Sequence, residues 1–434
     1  MMHEFSVRWR GAAGVVTLGL ALAAAGCGYQ PPQFRPNRVP TVAQQTQKQE
    51  LTDEQVTSIN DVLTSLFGTP DDPHVPPATS DDPALAPLVA TVLNESQLKL
   101  AAGPVGRNTT GAQHGLYREH CAHCHGVTGD GKGPTGLYLN PYPRDYRKGI
   151  YKFKSTAKGI RPTHADLKRT LEEGIPGTAM PSFKLLHDDQ IEALIGYVKY
   201  LSLRGEVETR LITYTFEELE EKEVLLNPKW RDGTDEEKKN FTARIGEIKK
   251  IVNVEFGTWA SAEAAAVEIP PRPVHKTPEE LAASIKHGNE LFHGGIAICI
   301  KCHGETALGD GQTTDYDDWT KDWFDVKNAE TKAASLKIGL EFGALPPRNI
   351  IPRNLRIGNL RGGHRPVDLY WRIVNGIDGT PMPAANMRKP GGAATELNLT
   401  SDDVWSIVDY VQSLPYEPLS QREHLVENVR VDKF

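Results

Sequence analysis

Two distant stretches of the chain carry the same apolar spacing. Ile191, Leu194, Ile195, Val198 and Leu201 fall on one stripe, and Val404, Ile407, Val408, Val411 and Leu414 repeat their offsets. Such intervals place side chains on one face of a helix. The segments ADLKRTLEEG and VDLYWRIVNG, a little upstream of each stripe, read as shorter helices. Near the start, LTDEQVTSINDVLTSLFG and DPALAPLVATVLNESQLKL read as two short amphipathic helices around a proline-rich turn. Between the two stripes, FEELEEKEVLL and DEEKKNFTARIGEIKKIVNVEF have charged helical patterning that stops at the breaker IPPRPVHKTP. The predicted fold is all-α.

The likeness between the halves extends beyond their helices. Gly174-Ile-Pro-Gly-Thr-Ala-Met180-Pro181 aligns without a gap on Gly376-Ile-Asp-Gly-Thr-Pro-Met382-Pro383. Farther upstream, PRDYRKG from Pro143 mirrors PRNLRIG from Pro352. A run of matches in the same order marks an internal duplication. The second copy has extra residues in HGGIAIC and a longer loop containing TTDYDDWTKDWFDVKNAE.

The chemistry-bearing residues sit inside this repeat. Apart from Cys27, the cysteines form Cys121-Ala-His-Cys124-His125 and Cys299-Ile-Lys-Cys302-His303. C-x-x-C-H is the attachment pattern of c-type haem. Two thiols one helical turn apart can add to the two vinyl groups, and the adjacent imidazole reaches the iron. The alternative for four thiols, a structural zinc ion, needs no histidine after either pair. Methionine is scarce, and Met180 and Met382 hold matched positions downstream of the two motifs, which makes them candidate second ligands. Met387 is a nearby competitor outside the matched loop. Arg144 and Arg353 are candidates to pair with haem propionates, because a guanidinium matches a carboxylate in two hydrogen bonds. His114, His120, His123, His164, His287, His293 and His364 are read as ordinary polar or packing residues.

These residues carry a family resemblance. Each copy resembles a class I cytochrome c domain, with an N-terminal helix, C-x-x-C-H, a glycine-rich loop, an arginine-bearing extended stretch, a helix, the methionine loop and a C-terminal helix. The resemblance implies two haem c groups, attached at Cys121 and Cys124 and at Cys299 and Cys302. It implies His/Met ligation, by His125 with Met180 and by His303 with Met382. It also implies electron transfer rather than intrinsic catalysis. A dihaem c-type peroxidase is the enzyme alternative, but it must open one iron to substrate, against two matched methionine loops. A haem subunit of a larger oxidoreductase is a further alternative.

The remaining chain completes the organisation. With 434 residues there is room for more than one core, and the 39% hydrophobic and 24% charged content is that of a soluble globular chain. A net charge of −7 does not suit coating nucleic acid, so no such partner is expected. Residues 1–27 read as a signal peptide: Arg8 and Arg10 precede an apolar run ending in a lipobox-like Ala24-Ala25-Gly26-Cys27, with Cys27 the lipidation site. A flexible tether over 28–50 and a helical segment over 51–106 are expected, then domain 1 over 107–205 and a helical linker over 206–276. Domain 2 covers 277–418 and a tail 419–434. The expected setting is the periplasmic face of a bacterial membrane. The expected redox partners are a quinol-oxidising complex, a terminal oxidase or a soluble cytochrome. RDYRKGIYKFKSTAKGIR is basic and TTDYDDWTKDWFD is acidic, so the two domains are expected to steer different partners, with Lys148, Lys152 and Lys154 doing so in the first.

Overall fold

The computed structural model describes residues 29–46, 50–77, 85–109, 111–325, 327–388 and 398–420. The expected signal peptide with Cys27, and the tail from 421 onward, lie outside the described residues. In chain order the helices are α1 (Val42–Thr46), α2 (Asp53–Phe67), α3 (Leu85–Val92), α4 (Glu95–Ala101), α5 (Leu116–His120) and α6 (Ala122–His125). The first half continues with α7 (His164–Glu173), α8 (Asp188–Glu217) and α9 (Asp235–Ala260). The second half has α10 (Pro278–His293), α11 (Ile300–His303), α12 (Asp318–Lys321), α13 (Ala329–Glu341), α14 (Pro366–Asn375) and α15 (Ser401–Ser413). Between α4 and α5, the short strands β1 (Gly106–Arg107) and β2 (Gln113–His114) pair antiparallel. The all-α expectation holds.

Local signals start these helices where the sequence places them. Thr52 caps α2 and Thr163 caps α7, each with a reciprocal capping box that satisfies orphan amides at the helix start. Asn94 splits the segment expected as one helix into α3 and α4, because its side chain accepts from the amides of Ser96 and Gln97.

Two cores follow the duplication. In the second, α10 crosses α15 closely: a Cβ on Gly288 would lie 1.9 Å from the carbonyl oxygen of Ser406. In the first, α4 and α8 share a core with α2 and α3, so the N-terminal segment belongs to the first domain. The linker does too. Helix α8 runs past Gly205 to Glu217, and α9 folds back to bury Ile248, Val252, Phe256 and Trp259 in the same core. Each fully buried apolar side chain of this kind contributes about 1.5–3 kcal/mol. The charged surface of α9 hid this apolar stripe.

The expected tether is also docked over its described part. Phe34 enters the first core beneath the Arg204 guanidinium, and the Asn37 amide donates to Glu208 at 2.8 Å. Val42 is fully buried against Trp323 and Phe324 of the second half's long loop. Residues 29–46 therefore strap both halves together.

The basic stretch meets both the acidic stretch and the second methionine loop. Lys148 pairs with Asp322 at 2.8 Å, Lys158 with Asp318 at 3.5 Å, and Lys154 with Asp378 at 2.9 Å. The expectation that these charges steer separate partners is overturned for Lys148 and Lys154, whose ammonium groups are consumed in the seam between the halves. Lys152 lies in the same seam, 5.4 Å from the ring centre of Trp319.

Candidate functional site

Each C-x-x-C-H motif forms a single helical turn, in α6 and α11, so both thiols and the imidazole of a motif come from one short piece of backbone. The His125 Nδ1 lies 3.0 Å from the carbonyl oxygen of Arg144, and the His303 Nδ1 lies 3.2 Å from that of Arg353. A carbonyl only accepts, so Nδ1 carries the hydrogen and Nε2 keeps its lone pair. That is the form an imidazole needs to ligate a metal. Burial pushes His125 down to about 4 and lowers His303 as well, so both stay neutral at physiological pH. His125 also stacks on Tyr146, with ring centres 4.7 Å apart.

The thiols are shielded. Burial pushes Cys121 up to about 12 and Cys299 up to about 11, so both are protonated thiols in the metal-free chain. Among the described residues, no cluster of three or more His, Cys, Asp or Glu side chains could hold a metal ion. A zinc ion held by all four thiols is therefore not assembled.

The methionine loops are built alike, bond for bond. In the first, Ile175 N donates to Met180 O at 3.1 Å, Thr178 N donates to Ile175 O at 3.1 Å, and Met180 N donates to the Thr178 hydroxyl at 3.1 Å. In the second, the corresponding bonds from Ile377, Thr380 and Met382 are each 3.2 Å. Both loops leave their helix through a left-handed glycine, Gly174 at φ +68° and Gly376 at φ +69°. A Cβ there would lie 2.6 Å from the backbone of Pro181 and 2.7 Å from that of Pro383, so only glycine fits. Met180 packs on the first core. Met387 instead sits beside Leu399 in a bridge at the edge of the second core.

A cavity of about 1740 Å³ joins the second site to the seam. It exceeds the ~300–1000 Å³ of most small-molecule pockets. His303, Met382, Cys299 and Cys302 line it, with Leu369, Ile407 and Val411 as apolar wall. Arg353 lines it too, and its Nε donates to Asn359 O at 2.8 Å. Arg144 reaches it from the first half, with its guanidinium 3.8 Å from the ring centre of Trp319. Two buried donors at this cavity, Trp319 Nε1 and Arg361 Nε, lack an acceptor. An apolar wall, a neutral imidazole, a thioether and unpaired donors together fit a macrocycle bearing carboxylates.

Sequence reading missed Trp319 and Arg361, and it gave Lys152 a steering role rather than a place at this cavity. The tryptophan lies in the loop that has no counterpart in the first half, so the duplication could not point to it. Of the other histidines, His164 lies 3.0 Å from Glu192 and His287 2.8 Å from Asp403, in surface pairs away from the motifs.

The family model described as cytochrome c matches residues 112–202 and 285–415. No curated protein matches the chain. A solved chain from the reducing HAO-like protein complex of Kuenenia stuttgartiensis is 24% identical, over 69% of this chain and 94% of that one, with a TM-score of 0.42.

Proposed function

The chain belongs to the cytochrome c family, and from that premise we propose that it is a dihaem electron carrier, held at a membrane surface and passing electrons between respiratory partners. Membership implies covalently bound haem c and a role in electron transfer. The count of two haems rests on both C-x-x-C-H motifs lying in matched domains. When bound, haem iron supplies a one-electron couple between its ferric and ferrous states.

The observation that carries this reading is the twofold recurrence of one ligand framework: an imidazole oriented by a backbone carbonyl, and a methionine loop closed by the same three hydrogen bonds. His125 and Met180 would serve one iron, His303 and Met382 the other. A thioether ligand favours ferrous iron and fills the position that oxygen or peroxide would need. That supports carriage of electrons over peroxide chemistry. Arg144 and Arg353 are assigned to propionates on their place at the cavity.

Export and anchoring rest on the basic, apolar and small-residue pattern that ends at Cys27. Among the described residues no helix is long and apolar enough to cross a membrane. A lipid on Cys27 would supply the attachment. A quinol-oxidising complex, a terminal oxidase or a soluble cytochrome would then be within reach. The test is a spectroelectrochemical titration of purified holoprotein with a peroxide-turnover assay. Two one-electron waves, sulfur-to-iron bands for both haems and no turnover are expected. Rapid peroxide consumption, or a haem without a sulfur ligand, would refute the carrier reading.

A further inference from the structure

The seam between the halves holds an unusual excess of unpaired donors. Arg144 and Lys152 both approach the ring of Trp319, and among the described residues neither side chain has a hydrogen bond or an ion pair within 4 Å. An aromatic face attracts a cation without neutralising it. Arg361 Nε and Trp319 Nε1 are buried donors with no acceptor. All four side chains line the cavity that also holds His303 and Met382. The nearby Asp317 caps α12 by accepting from Thr320 N at 2.9 Å and acts on Arg144 and Lys152 only through space, with no hydrogen bond to either.

The electrostatics agree with a missing anion. Burial pushes the Lys152 amine down to about 7, with Arg144 and Arg361 adding to the shift and Asp317 and Asp318 opposing it only in part. Burial likewise pushes Arg144 down to about 10. A buried donor left without an acceptor costs about 1–3 kcal/mol, and a charged one more. A carboxylate among these groups would relieve all of them.

Placement ties the cluster to the second site. The Trp319 ring lies against the Met382 loop, since a Cβ on Gly379 would be 2.0 Å from its Cη2 atom. Phe153 of the first half packs against Gly362 in the same way, at 2.4 Å. We propose that Arg144 and Lys152 of the first domain, with Trp319 and Arg361 of the second, form one carboxylate site across the seam. That site takes the propionates of the haem held at Cys299 and Cys302, so the first domain completes the second haem's pocket. The inference rests on the dihaem reading above and goes beyond it, because it makes the second haem's potential a property of both domains.

The test is the midpoint potential of each haem in full-length holoprotein, with the second haem's wave identified as the one that Met382→Ala displaces. Removing a cation from beside a haem favours the more positive ferric form. Lys152→Gln and Arg361→Gln should each shift the second haem's equilibrium about tenfold toward ferric, a fall of about 59 mV for one electron. Trp319→Phe should shift it in the same direction, and Lys152→Arg should restore it. The first haem should move far less. Added phosphate at constant ionic strength should leave the second wave in place, because the anion belongs to the cofactor. An unmoved second wave, an equal shift of both waves, or a shift that follows phosphate concentration would overturn the proposal. A missing second wave in the unsubstituted protein would instead sink the dihaem reading, and this inference with it.

Discussion

Breaking the Lys154–Asp378 pair should loosen the seam and the second methionine loop together. The two side chains are only 3% and 9% exposed, with 2.9 Å between Nζ and Oδ2. Asp378 also accepts from Gly159 N at 2.9 Å and Gly379 N at 3.1 Å, and it stands four residues before Met382 in the same loop. Lys154 has further acceptors in the carbonyls of Ala157 and Ile160. Removing one partner of a buried pair costs about 3–5 kcal/mol, since the other charge stays behind without compensation. The remaining carbonyls and amides soften that loss, so Asp378→Ala and Lys154→Met should each cost about 3 kcal/mol. The double variant should cost little more than either one, giving a coupling of about 2–3 kcal/mol. Urea unfolding of holoprotein, followed by tryptophan fluorescence and by both sulfur-to-iron bands, measures this. The Met382 band should vanish at lower urea than the Met180 band in Asp378→Ala. Single costs below about 1 kcal/mol, or effects additive within about 0.5 kcal/mol, would refute the reasoning.

Other expectations follow from the same structure. Burial pushes the Glu206 carboxyl up to about 7 against the pull of Arg161, while the unfolded chain titrates near 4.5. The folded form therefore holds a proton that the unfolded form has released, so this stabilisation is complete below 4.5 and is lost as pH rises toward 7. The change is roughly 3 kcal/mol, and Glu206→Gln should flatten the stability profile in that window; an unchanged slope would refute the assignment. Met180→Ala and Met382→Ala should each abolish one sulfur-to-iron band, whereas Met387→Ala should abolish none; a band lost in Met387→Ala would mark it as the ligand. Gly174→Ala and Gly376→Ala force a Cβ into backbone at a left-handed position, and each should destabilise its own domain by at least about 2 kcal/mol in thermal unfolding. Wild-type stability in either would mean that the loop has room to move.

Much of the site was legible because haem attachment constrains short spacings. Cys121, Cys124 and His125 are near neighbours on the chain, and so are Cys299, Cys302 and His303, so no tertiary knowledge was needed to group them. The methionine loops were legible through duplication, which aligned Gly174 to Pro181 with Gly376 to Pro383. Long-range placement was not legible. The stretch around Lys148 and Lys154 looked like a free basic face until Asp322 and Asp378 were seen opposite it. Phe34 and Val42 looked like a loose tether because their few apolar neighbours show no helical or strand periodicity, and only their receiving pockets give them meaning. The stripe of Ile248, Val252, Phe256 and Trp259 was masked by the many charges of α9.

The most direct test of the central claim is the haem count of native, full-length protein. Intact mass and peptide mapping should show a covalent tetrapyrrole on the Cys121–Cys124 peptide and another on the Cys299–Cys302 peptide, with an alkaline pyridine spectrum giving two haems per chain. A haem on only one of these peptides, or free thiols at both, would contradict the account.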